Sequence, residues 1–435
     1  MTATRAAKAA AGAKKRLSVA LAGVSASGYR SLALDYLHAA MLADPRLAVS
    51  VSRIDAEATD DPWWSAYRVL SLDPVPDVVA LPVFCWTASH VFEVVRLLKG
   101  ACPEIFVVLG GPEVGPIPEQ VLAEQPGVDA VVTGEGESTF CDLLHSLARG
   151  GDVYGILGVT ARDGDRIVSG GGRPPEDDMD RLASPFELIP QRTDGSAYLE
   201  TYRGCPHRCA YCYEGKGSQR IRSFSWERIA SDIEAVAVTD GMQAVSFIDP
   251  VFNLTTERLR RLASILEPFA AKGLRLHTIE VDIERVDAEQ AALLKRAGVV
   301  SVECGPQSVG ARALSLSKRA FDRKRFAAGV SACKEAGISV ECDLIIGLPG
   351  DTPDDVVAGI DYVTGLDPGR VQISTLHVLP GTDLWDHAEE HGLVFNPTAP
   401  HEVIATRELS FTDLRRLEVY GNAVAVTYKA RIGQG

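Results

Sequence analysis

The sequence predicts an α/β protein of two unlike halves: a doubly wound parallel-sheet domain, then an incomplete βα barrel with a short helical C-terminal extension. Three observations carry this expectation. The chain has 435 residues, more than one ordinary core fills, so two or three domains are expected. Its strand-like runs are apolar throughout rather than alternating, as in strands covered on both faces. Amphipathic segments of helical length separate those runs, the pattern of parallel βαβ units.

In the first half (17–150) the runs are LSVALAG (17–23), VSVSRID (49–55), DVVALPVF (77–84), IFVVLGG (105–111) and VDAVVTG (128–134). Doubly wound, Rossmann-like sheets bind ligands outside the carboxyl ends of their strands. Those ends carry Ser25 and Gly28, then Cys85, Trp86 and Thr87, then Gly110, Gly111, Pro112 and Glu113, and finally Gly134, Glu135, Gly136 and Glu137. Glycines there allow a tight turn or the close approach of a ligand. LGGP and GEGE read equally well as plain βα turns. No GxGxxG run is present, so an ordinary dinucleotide fold is not supported.

Residues 151–190, with GGGRPPEDDMD, read as a linker with a small β excursion. The second α/β pattern (191–392) has strands YLETYRG, AVSFID, LRLHTIEV, VVSVEC, ISVECDLIIG and RVQISTLHV. Six βα units fall short of the eight of a closed barrel. Residues 393–435 hold one helical segment, SFTDLRRLEVYGNAVAVTYKAR, opened by a capping Ser410 or Thr412. Residues 1–16 are basic and Ala-rich, read as a disordered tail, and lack the apolar core of a signal peptide.

Composition narrows the function classes. With 46% hydrophobic and 23% charged residues the chain is of globular type. Its net charge of −14 repels nucleic acid and anionic membrane, so neither is expected as a partner. No apolar run reaches the roughly 18 residues needed to span a bilayer. A cytoplasmic protein is expected, in which clustered cysteines signal metal or redox chemistry rather than disulfides.

The chemistry centres on GCPHRCAYCYEG (204–215), where three of the nine cysteines fall within eight positions. Cys205, Cys209 and Cys212 follow the first strand of the second half. Structural zinc needs a fourth ligand, and no second CxxC or HxxxH pair stands near them in the sequence. His207 sits between Cys205 and Cys209 with an awkward bite for a tetrahedral site. Cys85, Cys102, Cys141, Cys304, Cys333 and Cys342 are isolated and read as small buried hydrophobes. Three thiolates suit a cubane iron–sulfur cluster with one iron left open to substrate or cofactor. Arg203 and Arg208 flank the loop and offset thiolate charge, whereas Lys318 and Arg319, in LSKRAFDRKRF, read as the coat of a helix. Tyr213 and Glu214 follow the loop and face either substrate or solvent. His277, Glu280 and Asp282 lie near the third strand's end, with Glu280 and Asp282 on one face. They read as groups that bind a polar substrate or donate protons, or as ordinary strand-end polarity.

CxxxCxxC with Tyr211 before its last cysteine, on the first strand of a six-unit βα pattern, resembles the radical S-adenosylmethionine superfamily over roughly residues 195–390. The resemblance implies a [4Fe-4S] cluster held by Cys205, Cys209 and Cys212. Its open iron chelates S-adenosylmethionine, and reductive cleavage yields a 5′-deoxyadenosyl radical that abstracts hydrogen from substrate. It implies cofactor contacts at Asp249 and Asn253 in FIDPVFN, although that run departs from the usual GGE-like turn. Further contacts are implied at Glu303, Gln307 and Ser308 in VECGPQS, at Ile345, Gly347 and Leu348 in DLIIGLPGDT, and around His377 in LHVLPGT.

DVVALPVFCW, VVLGGPEV and VDAVVTGEGEST, in that order before the radical half, resemble the cobalamin-binding branch of the same superfamily. Gly110, Gly111, Gly134 and Glu135 would then face the cofactor. The DxHxxG motif, whose histidine ligates cobalt, is absent, as in many members of that branch. The resemblance implies cobalamin-dependent C-methylation of a small polar natural-product intermediate. The alternative is radical dehydration or deoxygenation of an aminosugar with a vestigial cobalamin domain. Electrons are expected from a ferredoxin, a flavodoxin or a pathway reductase. Two readings of other classes are a metal-stabilised binding module without turnover and a simple electron-transfer protein.

Overall fold

The computed structural model describes residues 16–26, 29–190, 195–214 and 220–432, with residues 431 and 432 described by backbone alone. Gly28 and the segment 1–15 lie outside the described residues. The chain divides into two compact units, Met1–Glu176 with Arg181–Ile189, and Asp177–Asp180 with Pro190–Gly435.

The first unit alternates β1 (Leu17–Ser25), α1 (Leu32–Ala43), β2 (Val49–Glu57), α2 (Pro62–Leu70), β3 (Val78–Pro82), α3 (Ala88–Ala101), β4 (Phe106–Gly110), α4 (Pro118–Glu124), β5 (Ala130–Val132) and α5 (Gly136–Leu147). Its sheet order begins β2-β1-β3-β4-β5, and these five strands run parallel. All five residues of β3 are buried, because helices cover both faces of the sheet. Leu34 and Met41 of α1 and Phe140, Leu143 and Leu144 of α5 close one core against Val19, Leu21, Val78 and Val108. The order reverses between β1 and β3, which makes the crevice above those two strands the switch point where such sheets take ligands.

Residues 151–190 are more than the expected linker. β6 (Val159–Asp163) and β7 (Arg166–Ser169) form an antiparallel hairpin on β5 that extends the sheet, and α6 (Pro185–Leu188) packs near α1. Gly164 supplies the left-handed turn residue of the hairpin.

The second unit runs β8 (Ser196–Leu199), β9 (Tyr202–Arg203), β10 (Arg222–Ser223), α7 (Trp226–Ala237), β11 (Ala244–Phe247), α8 (Thr256–Ala270), β12 (Arg275–Leu276), β13 (Ile279–Glu280), α9 (Ala288–Arg296), β14 (Ser301–Gln307), α10 (Ala311–Leu316), α11 (Arg323–Glu335), β15 (Ser339–Ile346), α12 (Pro353–Gly365) and β16 (Arg370–Thr375). After it come α13 (Asp383–Asp386), α14 (Ala388–His391), β17 (Val394–Phe395), β18 (Val403–Ala405) and α15 (Phe411–Ile432). Parallel pairing joins β8, β11 and β12 in one sheet and β13, β14, β15 and β16 in another. β12 and β13 are two halves of the predicted third strand, parted where Thr278 turns to a φ of 47°. The result is an arc of six strand positions, an incomplete barrel.

The C-terminal helix is where the sequence places it, and Ser410 caps it. Its Oγ accepts from the Asp413 backbone N–H at 3.2 Å, while the Asp413 carboxylate accepts from the Ser410 N–H at 3.1 Å. Ser410→Ala is expected to cost about 1 kcal/mol, read as a small fall in the thermal unfolding midpoint.

Candidate functional site

The cysteine loop is fixed through its middle residue. Ala210 donates its N–H to the Ser317 carbonyl at 2.9 Å, and its carbonyl accepts from the Leu384 N–H at 3.0 Å. Cys212 N–H closes a tight turn onto the Cys209 carbonyl at 3.1 Å, and Glu214 N–H points at the Cys212 sulfur at 3.4 Å. Burial, then repulsion from Glu214, Cys209 and Cys205, pushes the Cys212 thiol up to about 12. Burial chiefly, with Cys209 among the repelling groups, raises Cys205 as well. The three thiols thus share one space and repel one another, the condition that bound iron relieves. Among the described residues no three His, Cys, Asp or Glu side chains converge on a single ion. A cubane asks for something wider, since each of its cysteines binds a different iron. The donor set fits a [4Fe-4S] cluster.

A cation that sequence reading missed stands against this loop. Arg319 directs Nη1 to the Cys209 sulfur at 3.5 Å and to the Tyr211 hydroxyl at 3.4 Å, while Nη2 donates to the Gly305 carbonyl. The expectation that Arg319 coats a helix is therefore corrected. α10 ends at Leu316, Lys318 adopts a φ of 53°, and the left-handed residue swings Arg319 back toward Cys209. Lys318 itself pairs with Asp383 at the surface, at 2.6 Å. Arg203 lies against the buried Glu200 at 2.8 Å, and Arg208 is exposed.

A row of carboxylates lines the concave side of the arc. Glu280, Glu303, Glu341 and Arg370 are register partners across β13, β14, β15 and β16. The alternate residues Val302, Cys304, Val340 and Cys342 are buried on the helix side. Arg370 answers only the last acid, at 3.0 Å from Glu341. Asp343, two residues along, has a buried Oδ1 without a partner. Burial, then Glu303 and Glu341, raises the Asp343 carboxyl. Glu280 is open to the hollow of the arc yet ringed by protein; that desolvation, then Glu303 and Glu214, pushes it up to about 7. Its folded value exceeds its unfolded one, so its stabilising contribution is full below about pH 4.5 and disappears as pH rises through about 7. Glu280→Gln is expected to flatten the fall in unfolding midpoint between about pH 4.5 and about pH 7, measured by thermal denaturation across that range.

Glu280 and Asp282 are not brought together. The chain leaves β13 for a 3-10 turn, Ile283–Arg285, and Asp282 faces Arg285 at 3.1 Å and His207 at 3.7 Å. His277 is exposed beside the break in the third strand. Tyr213 is half-buried, and burial followed by Glu214 raises its hydroxyl.

Among the cofactor candidates, Glu303 precedes and Gln307 ends a bulge, where register with β15 shifts between Cys304 and Gln307 and Gln307 takes a φ of 65°. Gly305 is needed in that bulge, because a Cβ would meet the Asp343 carbonyl at 2.5 Å. Ser308 is buried and donates to Asp351 at 2.7 Å. Asp249 is buried against Thr201, whose N–H it accepts at 2.7 Å; burial raises it to about 6. Asn253 is fully buried and spends its amide on the Asp282 backbone and on Gln290 at 2.9 Å. Asp249, Asn253 and Ser308 are thus committed to the fold. Ile345 is half-buried; Gly347, with a φ of 94°, lets Val403 lie where a Cβ would come within 2.6 Å; Leu348 is buried behind it. His377 is half-buried in a bridge to Glu402, and burial lowers its pKa.

At the carboxyl end of the first unit's sheet, Gly111 has a φ of 105°, and a Cβ there would lie 2.7 Å from the Val83 carbonyl. Gly110 ends β4, Gly134 has a φ of 78°, and the Glu135 carboxylate accepts from the Glu176 N–H at 3.1 Å. Trp86, 62% exposed, stacks on Phe84 with ring centres 4.9 Å apart. This gives the switch point a flat apolar plate, and glycines around it keep the backbone low, features that fit a macrocycle such as a corrin.

Family models for the radical SAM superfamily and for a B12-binding domain match residues 199–363 and 21–144. An uncharacterized methyltransferase of Pyrococcus horikoshii is 28% identical over 327 residues, 73% of this chain and 71% of that protein. The cobalamin-dependent radical SAM methyltransferase TokK of Streptomyces tokunonensis is 33% identical over 180 residues, 38% of this chain and only 26% of TokK. The structure of TsrM from Kitasatospora setae with cobalamin and a [4Fe-4S] cluster bound shares the fold, with a TM-score of 0.68 at 22% identity over 89% of this chain and 82% of that one. Among the described residues no helix is long and apolar enough to cross a membrane. The chain thus carries a radical SAM domain and, before it, a B12-binding domain.

Proposed function

We propose that this enzyme transfers a methyl group, with cobalamin, to a carbon of a small polar substrate in natural-product biosynthesis. The observation that carries the reading is the presence in one chain of a three-cysteine loop on the first strand of a βα arc and a B12-binding domain with its switch point lined by Gly111 and Trp86. When bound, the cluster and S-adenosylmethionine supply one-electron cleavage and hydrogen abstraction, and the corrin carries the methyl group. Cys205, Cys209 and Cys212 hold the cluster. Glu303, just before the bulge, and Gln307, re-aimed by it, orient S-adenosylmethionine beside the cluster. Glu280 holds a proton near neutral pH, and with Asp343 it offers a polar, partly protonated wall to hydroxyl or amino groups of the substrate. Electrons come from a ferredoxin, a flavodoxin or a pathway reductase.

A second reading, radical dehydration of an aminosugar, is favoured by one observation: the sequence from Ser25 to Ser31 contains no histidine to ligate cobalt. Anaerobic reconstitution with cobalamin separates the two. A corrin spectrum that survives gel filtration, S-adenosylhomocysteine among the products and a substrate mass gain of one methylene support methyl transfer. Formation of 5′-deoxyadenosine alone, with loss of water from the substrate, overturns it.

A further inference from the structure

We infer that Arg319 is a positioning residue that sets the reduction potential of the cluster through Cys209. The inference rests on the cluster reading above and concerns a residue outside the cysteine motif. The guanidinium is the one cation whose hydrogen bond to a cluster-loop sulfur is seen among the described residues, at 3.5 Å from Cys209. Its other bonds, to the Tyr211 hydroxyl and the Gly305 carbonyl, fix it between the cysteine loop and the bulge at the end of β14. Its Nε is buried and unpartnered. An arginine left with an unsatisfied N–H and placed on a sulfur is poorly explained by packing alone, since a shorter apolar side chain fills the same space without that cost.

Reduction adds one electron, and therefore one negative charge, to the cluster. A fixed positive charge and an N–H···S bond at one ligand stabilise the reduced form more than the oxidised form, which raises the potential. The guanidinium stays charged throughout, so no proton accompanies the electron. The geometry also makes the contact asymmetric: the Cys209 corner is bonded to a cation, while Cys212 receives a neutral backbone N–H from Glu214.

The test is dye-mediated redox titration of the anaerobically reconstituted full chain, followed by electron paramagnetic resonance, for wild type, Arg319→Lys and Arg319→Met. At the wild-type midpoint, the ratio of reduced to oxidised cluster is expected to fall about tenfold in Arg319→Met, a shift of about 59 mV to lower potential for a one-electron couple. Arg319→Lys is expected to fall between the two. If Arg319→Met retains no cluster, Arg319→Gln, which keeps a hydrogen-bonding end without the charge, takes its place. Neutral variants with wild-type iron and sulfide content and an unchanged midpoint overturn the inference. So does loss of the cluster from both neutral variants, which assigns Arg319 to cluster retention instead. Absence of iron and sulfide from the wild-type protein is a separate outcome, and overturns the cluster reading itself.

Discussion

Cys209→Ala abolishes the iron–sulfur charge-transfer absorbance and, with it, reductive cleavage of S-adenosylmethionine. The expectation follows from the donor count. Three thiolates leave one iron of a cubane open, and a loop with two offers no stable seat for the remaining metal. The loop itself survives the substitution, because its anchorage runs through the Ala210 backbone to Ser317 and Leu384 rather than through the sulfur. Removing a buried thiol costs about 1 kcal/mol, so thermal unfolding of the apoprotein changes little while iron and sulfide per chain fall to background. That combination distinguishes a cluster ligand from a buried structural cysteine, whose loss lowers stability and leaves metal content alone. A binding module held by a mononuclear metal tolerates the change. Retained iron and sulfide with undiminished 5′-deoxyadenosine formation is the result that would remove Cys209 from the centre.

The second large effect belongs to Gly111→Ala. The residue has a φ of 105°, which only glycine adopts without strain, and the added Cβ would meet the Val83 carbonyl at 2.7 Å and the Val83 nitrogen at 3.0 Å. Backbone strain and overlap together cost about 2–5 kcal/mol. The loop after β4 then moves off the end of β3, where Val83 N–H donates to the Gly110 carbonyl at 2.8 Å and Glu113 N–H to the Val83 carbonyl at 3.2 Å. Both bonds shape the crevice that carries Trp86. Corrin retention on gel filtration is expected to weaken on the order of tenfold or more, in line with a loss of at least 1.4 kcal/mol. Circular dichroism at reduced temperature checks that the variant is folded. Unaltered corrin retention by a folded variant would place the crevice elsewhere.

Much of this was legible beforehand, for identifiable reasons. β1, β3 and β4 are buried on both faces and announce themselves as unbroken apolar runs. Cys205, Cys209 and Cys212, the proposed cluster ligands, were singled out by their spacing alone. What escaped depends on backbone conformations that ordinary side chains rarely take. Thr278 at a φ of 47° splits the third strand, and Lys318 at 53° turns Arg319 from a helix surface toward a sulfur. The small β excursion expected within 151–190 is the hairpin of β6 and β7, and the polar composition around GGGRPP concealed only that it joins the edge of the first unit's sheet. The commitments of Asp249, Asn253 and Ser308 were illegible for another reason. Their partners Thr201, Gln290 and Asp351 lie 48, 37 and 43 residues away, a separation that no local pattern encodes.

An arc of strands, unlike a closed barrel, has a last strand with an unused row of backbone donors and acceptors, and here that strand is β16. α15 lies against it, tied by Thr375 to Glu418 at 2.9 Å and by the Tyr428 hydroxyl to the Pro368 carbonyl at 2.8 Å. The helix lays Gly421 against Ile373 of β16 and Ile346 of β15, and so keeps the apolar side chains at the end of the arc from a neighbouring molecule. Trimming the chain before Phe411 should turn a well-behaved preparation into one that self-associates as concentration rises, and purification tags are better carried at the other terminus.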